Sequence, residues 1–274
     1  MEYSRIIITG ASSGLGAEYA RALAAAVCVP CEFILIARRV DLLEKLAEEL
    51  TPLNSRITPR ALRCDLSAPA ERAALITKLQ ALPPAKTLLV NNAGLGDYGE
   101  FSSSEPGKNN SLLQVNMLAL VELTRALLPQ MQEHGGDIIN IASLAADIFL
   151  PDFALYAASK SFVASYSEAL RLELKSRKIK VLAVCPGPVK TGFGAVAQRP
   201  GHDRGDMPLK QWFYTPAKDV VRASLTALKA GRARCYPSFK IWFSSCLLYI
   251  LPLWLRRLLL RTRPRRVKQV DKNT

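Results

Sequence analysis

Two side chains with acid–base chemistry, Tyr156 and Lys160, stand four positions apart in a stretch with helical periodicity. This spacing places both on one face of a helix. A free phenol has a pKa near ~10, too high for ready proton exchange at neutral pH, and a neighbouring ammonium is expected to lower it. The pair is therefore suited to protonating a carbonyl oxygen while hydride reaches the carbonyl carbon. Because Tyr and Lys four residues apart also occur by chance on solvated helices, the spacing alone does not establish a catalytic pair.

Two further residues extend this chemistry. Ser143 follows an apolar run thirteen residues before Tyr156, where its hydroxyl could hold the substrate oxygen and stabilise developing charge. Asn116 lies in the preceding predicted helix, where it could support a water that relays protons to Lys160. We therefore predict that the catalytic residues are Asn116, Ser143, Tyr156 and Lys160.

A glycine-rich turn, Thr9-Gly10-Ala11-Ser12-Ser13-Gly14-Leu15-Gly16, joins an apolar run to an alanine-rich helical stretch. Glycines there let backbone N–H groups approach a diphosphate, and the helix N-terminus adds partial positive charge. A glycine turn without a ligand is the alternative. The predicted dinucleotide contacts from this turn are Gly10, Ser12, Ser13, Gly14, Leu15 and Gly16.

The residues after the second predicted strand indicate which dinucleotide is bound. An acidic residue there would hold a ribose 2′-hydroxyl, but this chain has Arg38 and Arg39 instead. Two guanidinium groups suit a 2′-phosphate, which favours NADP(H) over NAD(H). A solvated basic pair at a strand end is the alternative. Asp65, after the third strand, is placed to meet the adenine edge.

These residues must be positioned by alternating strands and helices. Apolar runs predict strands at 5–9, 33–37, 87–90, 138–142, 180–184 and 233–236, together with a third strand that ends over 61–64. They predict helices at 15–27, 41–50, 70–82, 112–132, 155–177 and 215–229. Continuous rather than alternating apolar strands indicate that both sheet faces are covered. We predict an α/β fold, a Rossmann-type doubly wound parallel sheet of about seven strands with helices on both faces, in one domain over 1–237. The carboxyl ends of the strands would bring the predicted site residues to one edge.

Over residues 5–237 the sequence resembles the short-chain dehydrogenase/reductase family. The resemblance is carried by the glycine turn, Cys64-Asp65-Leu66, Asn91-Asn92-Ala93-Gly94, Asn116, Ser143, Tyr156-Ala-Ala-Ser-Lys160 and Pro186-Gly187-Pro188-Val189-Lys190-Thr191. It implies a seven-stranded parallel sheet, an NAD(P)-dependent alcohol/ketone reaction and the same four catalytic residues. It also implies a homo-dimer or tetramer formed through the helices at 112–132 and 155–177. Its implied cofactor contacts are Asp65, Leu66, Asn92, Ala93, Gly94, Tyr156, Lys160, Pro186, Gly187, Val189 and Thr191.

Two segments lie outside this pattern. Residues 192–214 lack periodicity and predict either a substrate lid or a loose surface loop. Residues 238–274 form an apolar and then basic C-terminal extension. The net charge is +14, and residues 256–274, with eight Lys/Arg and one Asp, carry half of that excess.

The apolar run at 241–255 is shorter than the roughly 20 residues of a membrane span and contains Pro252. Its Trp residues and flanking arginines favour shallow attachment to a membrane surface through 241–266. Packing on the domain or on a dimer partner, and a true span, are the alternatives. Nucleic acid is not an expected partner, because the aromatics alternate with leucines rather than lysines.

The six cysteines follow neither a disulfide framework nor the spacing of a metal site, so we predict reduced thiols and no bound metal. Since no signal peptide is visible, we predict a cytoplasmic protein. If it is attached to a membrane, we expect it to be peripheral on the inner membrane face.

The sequence as a whole predicts an NADP(H)-dependent oxidoreductase interconverting a secondary alcohol and a ketone. The apolar extension and lid suggest a lipophilic substrate, such as a fatty-acyl, steroid-like or other hydrophobic carbonyl. The alternative is a non-catalytic NADP(H)-binding sensor or scaffold at a membrane surface.

Overall fold

The computed structural model describes residues 1–199 and 214–259. In this part of the chain, seven parallel strands form one sheet in the order β3-β2-β1-β4-β5-β6-β7. The strands are β1 Arg5–Thr9, β2 Cys31–Ala37, β3 Ile57–Arg63, β4 Thr87–Asn91, β5 Gly136–Ile141, β6 Lys180–Val184 and β7 Arg234–Cys235. The order reverses between β1 and β4, and such a switch point opens a crevice at the carboxyl ends of the strands.

Helices cover both faces of this sheet. They are α1 Gly14–Ala26, α2 Val40–Leu50, α3 Pro69–Gln80, α4 Pro106–Leu113, α5 Ala119–His134, α6 Ala154–Glu173, α7 Phe193–Ala197, α8 Ala217–Lys229, α9 Phe239–Ile250 and α10 Leu253–Leu259. Successive residues of β1 enter opposite layers: Ile6 packs with Leu23 of α1, whereas Ile7 packs with Leu127 of α5. The predicted doubly wound Rossmann-type sheet is therefore confirmed.

Most predicted elements lie within a few residues of the observed ones, and the differences have local causes. β3 ends at Arg63, within the predicted 61–64, and begins at Ile57; the sequence did not predict this beginning, because the edge strand is only partly buried and lacks a continuous apolar run. The helix predicted at 112–132 begins at Pro106 and contains a π-helical turn, Gln114–Leu118, between α4 and α5. Asn116 lies in this π-helical turn, a feature that is frequent at functional sites.

The segment predicted to lack structure, 192–214, contains the short helix α7. The rest of that segment, 200–213, lies outside the described residues. Pro252 interrupts the apolar run at 241–255, since α9 ends at Ile250 and α10 starts at Leu253. The basic residues beyond 259 also lie outside the described residues.

Candidate active site

The glycine turn between β1 and α1 has a backbone that larger residues would distort. Gly10 and Gly14 have φ values of +65° and +58°, a conformation that glycine adopts without steric cost. A Cβ at Gly16 would lie 2.3 Å from the Gly10 carbonyl oxygen, so only glycine fits there. The turn brings the first N–H groups of α1, which have no partners inside the helix, to the carboxyl edge of the sheet.

Asn92, just after β4, braces this turn. Its side-chain amide donates to the carbonyl oxygens of Thr9 at 2.9 Å and Gly10 at 3.2 Å. The Thr9 hydroxyl in turn accepts the backbone N–H groups of Asn92 and Ala93, both at 3.0 Å. Because its side-chain amide is bound to these two carbonyl oxygens, Asn92 stabilises the conformation of the glycine turn.

Arg38 and Arg39 are both exposed beside the turn. The Arg39 guanidinium donates to the hydroxyls of Ser12 at 3.2 Å and Ser13 at 2.9 Å. Burial raises the pKa of the nearby Asp65 carboxyl, but hydrogen bonds from Ser67 and the charges of Arg38 and Arg63 outweigh this and leave it below its ordinary value. The glycine-lined backbone and the N-terminus of α1 together fit the diphosphate of a dinucleotide.

The segment after β6 approaches the same turn. Thr191 lies opposite Gly14, where an added Cβ would meet the Thr191 side chain at 3.3 Å. Val189 pairs with Thr215 across a short parallel bridge, and the Pro186 carbonyl accepts the Leu144 N–H at 2.8 Å. The structure thus brings the segment that contains Pro186, Gly187, Val189 and Thr191 beside the glycine turn and the residues that follow β5.

Ser143 and Tyr156 meet at the end of β5 and the start of α6. The Ser143 oxygen accepts the Ala145 N–H at 3.1 Å, which fixes the hydroxyl while leaving its proton available. Burial raises the pKa of Tyr156 above its ordinary value, and a hydrogen bond from Ser143 lowers it by less. The predicted lowering of the Tyr156 pKa is therefore not what the structure shows, and the phenol stays protonated at neutral pH.

The position of Lys160 explains this difference. Its Nζ donates to the Ile141 carbonyl oxygen at 2.7 Å and lies 5.8 Å from the Tyr156 ring centroid. Lys160 is 4% exposed, and burial lowers its pKa to about 8. The ammonium is thus directed to the backbone beneath Tyr156 rather than to the phenol oxygen.

Asn116 completes the group from the π-helical turn. Its Oδ1 accepts the Leu95 N–H at 2.8 Å, and its Nδ2 donates to the Leu95 carbonyl at 2.9 Å and to Ser159 Oγ at 3.0 Å. An added Cβ at Gly94 would lie 3.4 Å from Lys160 Nζ and 3.5 Å from Asn116 Oδ1. Gly94 therefore leaves a small gap between these two polar atoms. All four predicted catalytic residues share one region, with Asn116 held by the backbone of Leu95.

The family model described as short chain dehydrogenase matches residues 4–200, more than half of the chain. The chain belongs to the short-chain dehydrogenase family. It is 32% identical over 195 residues to dehydrogenase/reductase SDR family member 7B of Mus musculus, covering 70% of this chain but only 59% of the mouse protein. It is 33% identical over 226 residues to the ketoacyl reductase HetN of Nostoc sp., covering 82% of this chain and 75% of that protein.

The solved structure of a short-chain dehydrogenase from Sphingobium yanoikuyae in complex with NADPH is similar, with a TM-score of 0.78, 28% identity and coverage of 98% of this chain and 99% of that one. These matches confirm the resemblance carried by the motifs.

Aromatic rings surround the tyrosine of this short-chain dehydrogenase. Phe153 contacts Tyr156 with ring centroids 5.4 Å apart, and Phe193 of α7 lies 5.8 Å away on another side. Tyr98 extends the wall behind Phe153 at 4.9 Å. The space above the phenol is therefore bordered largely by apolar ring surface.

A charged cluster that sequence reasoning missed ties this wall to the segment after α7. The Asp97 carboxylate, 4% exposed, accepts the Arg199 guanidinium and the Lys108 ammonium, the latter at 2.9 Å. Arg199 also donates to the Glu100 carbonyl at 2.7 Å, while Tyr98 pairs with Gln198. In the sequence, Asp97 and Tyr98 lie between Gly96 and Gly99, and these glycines were the available signal of close packing. In the structure, a Cβ added at Gly99 would lie 2.9 Å from the Arg199 guanidinium.

Proposed function

We propose that this short-chain dehydrogenase interconverts a secondary alcohol and a ketone with NADP(H). The observation that carries the proposal is the convergence of Ser143, Tyr156 and Lys160 beside the glycine turn. A protein that only bound the dinucleotide would not require a buried lysine, which costs folding free energy, beneath a half-buried phenol.

Each residue has a distinct part in the reaction. The Ser143 hydroxyl holds the substrate oxygen, and the Tyr156 phenol transfers its proton to that oxygen as the carbonyl becomes an alcohol. NADPH, when bound, supplies the hydride that adds to the carbonyl carbon. The Lys160 ammonium, 5.8 Å from the Tyr156 ring centroid, stabilises the resulting phenolate through its charge rather than through a direct hydrogen bond. A water in the gap at Gly94, supported by Asn116, returns a proton. In the oxidative direction the same groups act in reverse.

The preference for NADP(H) is supported by charge. The two residues that follow β2 are the exposed Arg38 and Arg39 rather than an acidic residue, and Arg39 contacts two hydroxyls of the glycine turn. Such a pair attracts a 2′-phosphate through charge-assisted hydrogen bonds. The NADPH bound by the Sphingobium yanoikuyae dehydrogenase agrees with this assignment.

The substrate in this proposal is a hydrophobic carbonyl of fatty-acyl, steroid-like or similar type. The ring surfaces of Phe153 and Phe193 beside Tyr156 support it, because aromatic ring surface binds apolar groups more favourably than polar ones. The ketoacyl reductase named among the relatives acts on one such class. The described part of the predicted lid, residues 192–199, would then border the substrate through Phe193.

Assembly and location are proposed on separate observations. We propose a homo-dimer or tetramer formed through the two long helical stretches, 106–134 and α6. Leu118 in the first is 44% exposed and Leu172 in the second is 65% exposed. A Leu172→Glu variant that sediments as a monomer would support this assembly. The proposed location is the cytoplasm, where the six cysteines, which lack framework spacing, would stay reduced.

Oxidation of NADPH in the presence of a panel of hydrophobic ketones tests the reaction. We expect turnover by the wild-type chain and a loss of about 10²–10⁴-fold in Tyr156→Phe, the range typical of a general acid. Tyr166→Phe, which removes a hydroxyl ten residues later on the same helix, should keep nearly full activity. Tight NADPH binding without turnover on any ketone would instead favour the non-catalytic sensor.

A further inference from the structure

The C-terminal helix α9 has a defined inner face. Ile241 is fully buried and Ser245, one turn later, is 2% exposed. α9 packs on the short 3₁₀ helix Leu144–Asp147 that follows Ser143. Because two anchored positions one turn apart set the rotation of a helix, the direction of its other side chains is fixed as well.

The outer face of α9 and α10 consists of large apolar side chains. Phe239 is 73% exposed, and its ring lies 5.5 Å from that of Trp242 and 6.1 Å from that of Phe243. The exposed apolar residues of the two helices are Phe239, Trp242, Phe243, Leu247, Ile250, Leu253, Trp254 and Leu258. Isolated exposed apolar residues are ordinary, but a group of this size indicates a binding surface.

Positive charge borders this group. Arg256 and Arg257 follow in α10, and the Arg256 guanidinium lies 5.8 Å from the Phe149 ring centroid. The chain from residue 256 onward has a net charge of +7. A second copy of the chain docked on the same surface would oppose like charges, whereas an anionic lipid surface would be attracted.

We propose that the outer face of α9 and α10 docks on an anionic lipid membrane. Trp and Phe favour the interface between lipid and water, and arginines favour anionic headgroups. At 12 and 7 residues, these helices are well short of the roughly 20 residues of a span, so they lie on the membrane.

Among the described residues, one helical stretch, Pro106–His134, is long and apolar enough to cross a membrane, and it is not part of α9 or α10. It packs on the sheet through Leu123, Leu127 and Met131, as the core helix of a globular domain does. The docking proposal therefore rests on α9 and α10 alone.

The docked orientation has a consequence for the active site. Phe149, 54% exposed and in contact with Arg256, lies in the loop between Ser143 and Tyr156. Docking through α9 and α10 would bring this loop to the lipid surface, so that a lipophilic ketone reaches the site from the bilayer. This last step depends on the proposed function, whereas docking itself does not.

Vesicle flotation of the full chain tests the docking surface without any enzymatic assay. We expect the wild type to float with vesicles of phosphatidylcholine and phosphatidylglycerol, and much less with phosphatidylcholine alone. The triple variant Trp242→Ser, Phe243→Ser, Trp254→Ser should lose binding at least about tenfold. Arg256→Gln with Arg257→Gln should lower binding to anionic vesicles about tenfold and leave binding to neutral vesicles little changed.

Leu53→Ser is the matched control, because Leu53 is 53% exposed beside β3, the opposite edge strand of the sheet. It should float like the wild type. Circular dichroism and thermal unfolding verify that each variant is folded. The proposal is overturned if the wild type stays unbound to both vesicle types, if the folded triple variant floats like the wild type, or if the triple change dissociates a dimer without affecting flotation.

Discussion

Ser245 of α9 donates its hydroxyl proton to Asp147, four residues after Ser143, at 2.8 Å. The Asp147 side chain is only 2% exposed and also accepts Tyr236 Oη at 2.9 Å and Arg234 Nη1 at 3.2 Å. One buried carboxylate therefore joins the C-terminal extension and the end of the sheet to the segment that begins at Ser143. Buried charged groups with several partners fix local geometry more strongly than surface pairs do.

Replacing Ser245 with Ala should loosen this junction. The substitution removes one hydrogen bond to a buried carboxylate, and such bonds contribute about 1.5–3 kcal/mol. We expect faster proteolytic cleavage within α9 and a lower free energy of unfolding in urea. Ser244→Ala is the control, since the Ser244 hydroxyl donates to the Lys240 carbonyl within its own helix. Equal cleavage rates in the two variants would show that Asp147 does not hold the extension in place.

Replacing Arg38 and Arg39 with Ala should weaken NADPH binding far more than NADH binding. Charge-assisted hydrogen bonds to a phosphate contribute about 1.5–3 kcal/mol, so the dissociation constant for NADPH should rise about 10- to 100-fold. The value for NADH should change by less than about threefold. Fluorescence titration measures both constants, and Arg60→Ala, an exposed arginine within β3, serves as the control. Equal losses for the two cofactors would contradict the assignment of a 2′-phosphate site.

The sequence was sufficient to predict the sheet, because parallel strands that are buried on both faces are continuous apolar runs. The predicted bounds of β1 and β6 agree with the observed ones. The glycine turn and the Tyr156–Lys160 spacing could likewise be read, since each depends on a local backbone geometry. The orientation of the Lys160 ammonium could not, because its acceptor, the Ile141 carbonyl, is distant in sequence. The Asp97 and Asp147 clusters were missed for the same reason: Arg199, which binds Asp97, is 102 residues away, and Arg234, which binds Asp147, is 87 residues away.

Gly94→Ala should slow the reaction while leaving the fold intact. The added methyl would meet Lys160 Nζ and Asn116 Oδ1 at 3.4 and 3.5 Å, which are ordinary contacts, so stability should change by less than about 1 kcal/mol. It would nevertheless fill the gap proposed to hold the relay water. We expect kcat to fall about tenfold or more with little change in the NADPH dissociation constant. Gly107→Ala, where an added Cβ meets open space, is the control, and an unchanged kcat in Gly94→Ala would remove the relay from the proposal.

Lys160→Met should abolish turnover and yet stabilise the fold at neutral pH. Burial lowers the pKa of Lys160 to about 8 from its ordinary 10.5, so the folded state binds the proton less tightly than the unfolded chain does. The charged form therefore costs stability below pH 8, by about 3 kcal/mol for a shift of this size. Loss of the hydrogen bond to Ile141 offsets about 1 kcal/mol, which leaves a gain of roughly 2 kcal/mol at pH 7.

The pH dependence of the stability gained in Lys160→Met distinguishes two causes: removal of a buried charge, which depends on pH, and improved packing, which does not. As pH rises from 8 to 10.5, the folded wild type loses the Lys160 proton while the unfolded chain keeps it, so the wild type becomes more stable relative to the variant. Urea unfolding at pH 7 and at pH 9.5 should therefore show the advantage of Lys160→Met shrinking towards zero. Lys45→Met, at an exposed position of α2, should show no such trend. A variant that is less stable than the wild type at pH 7, or an advantage that does not depend on pH, would mean that the ammonium is not destabilised by its surroundings.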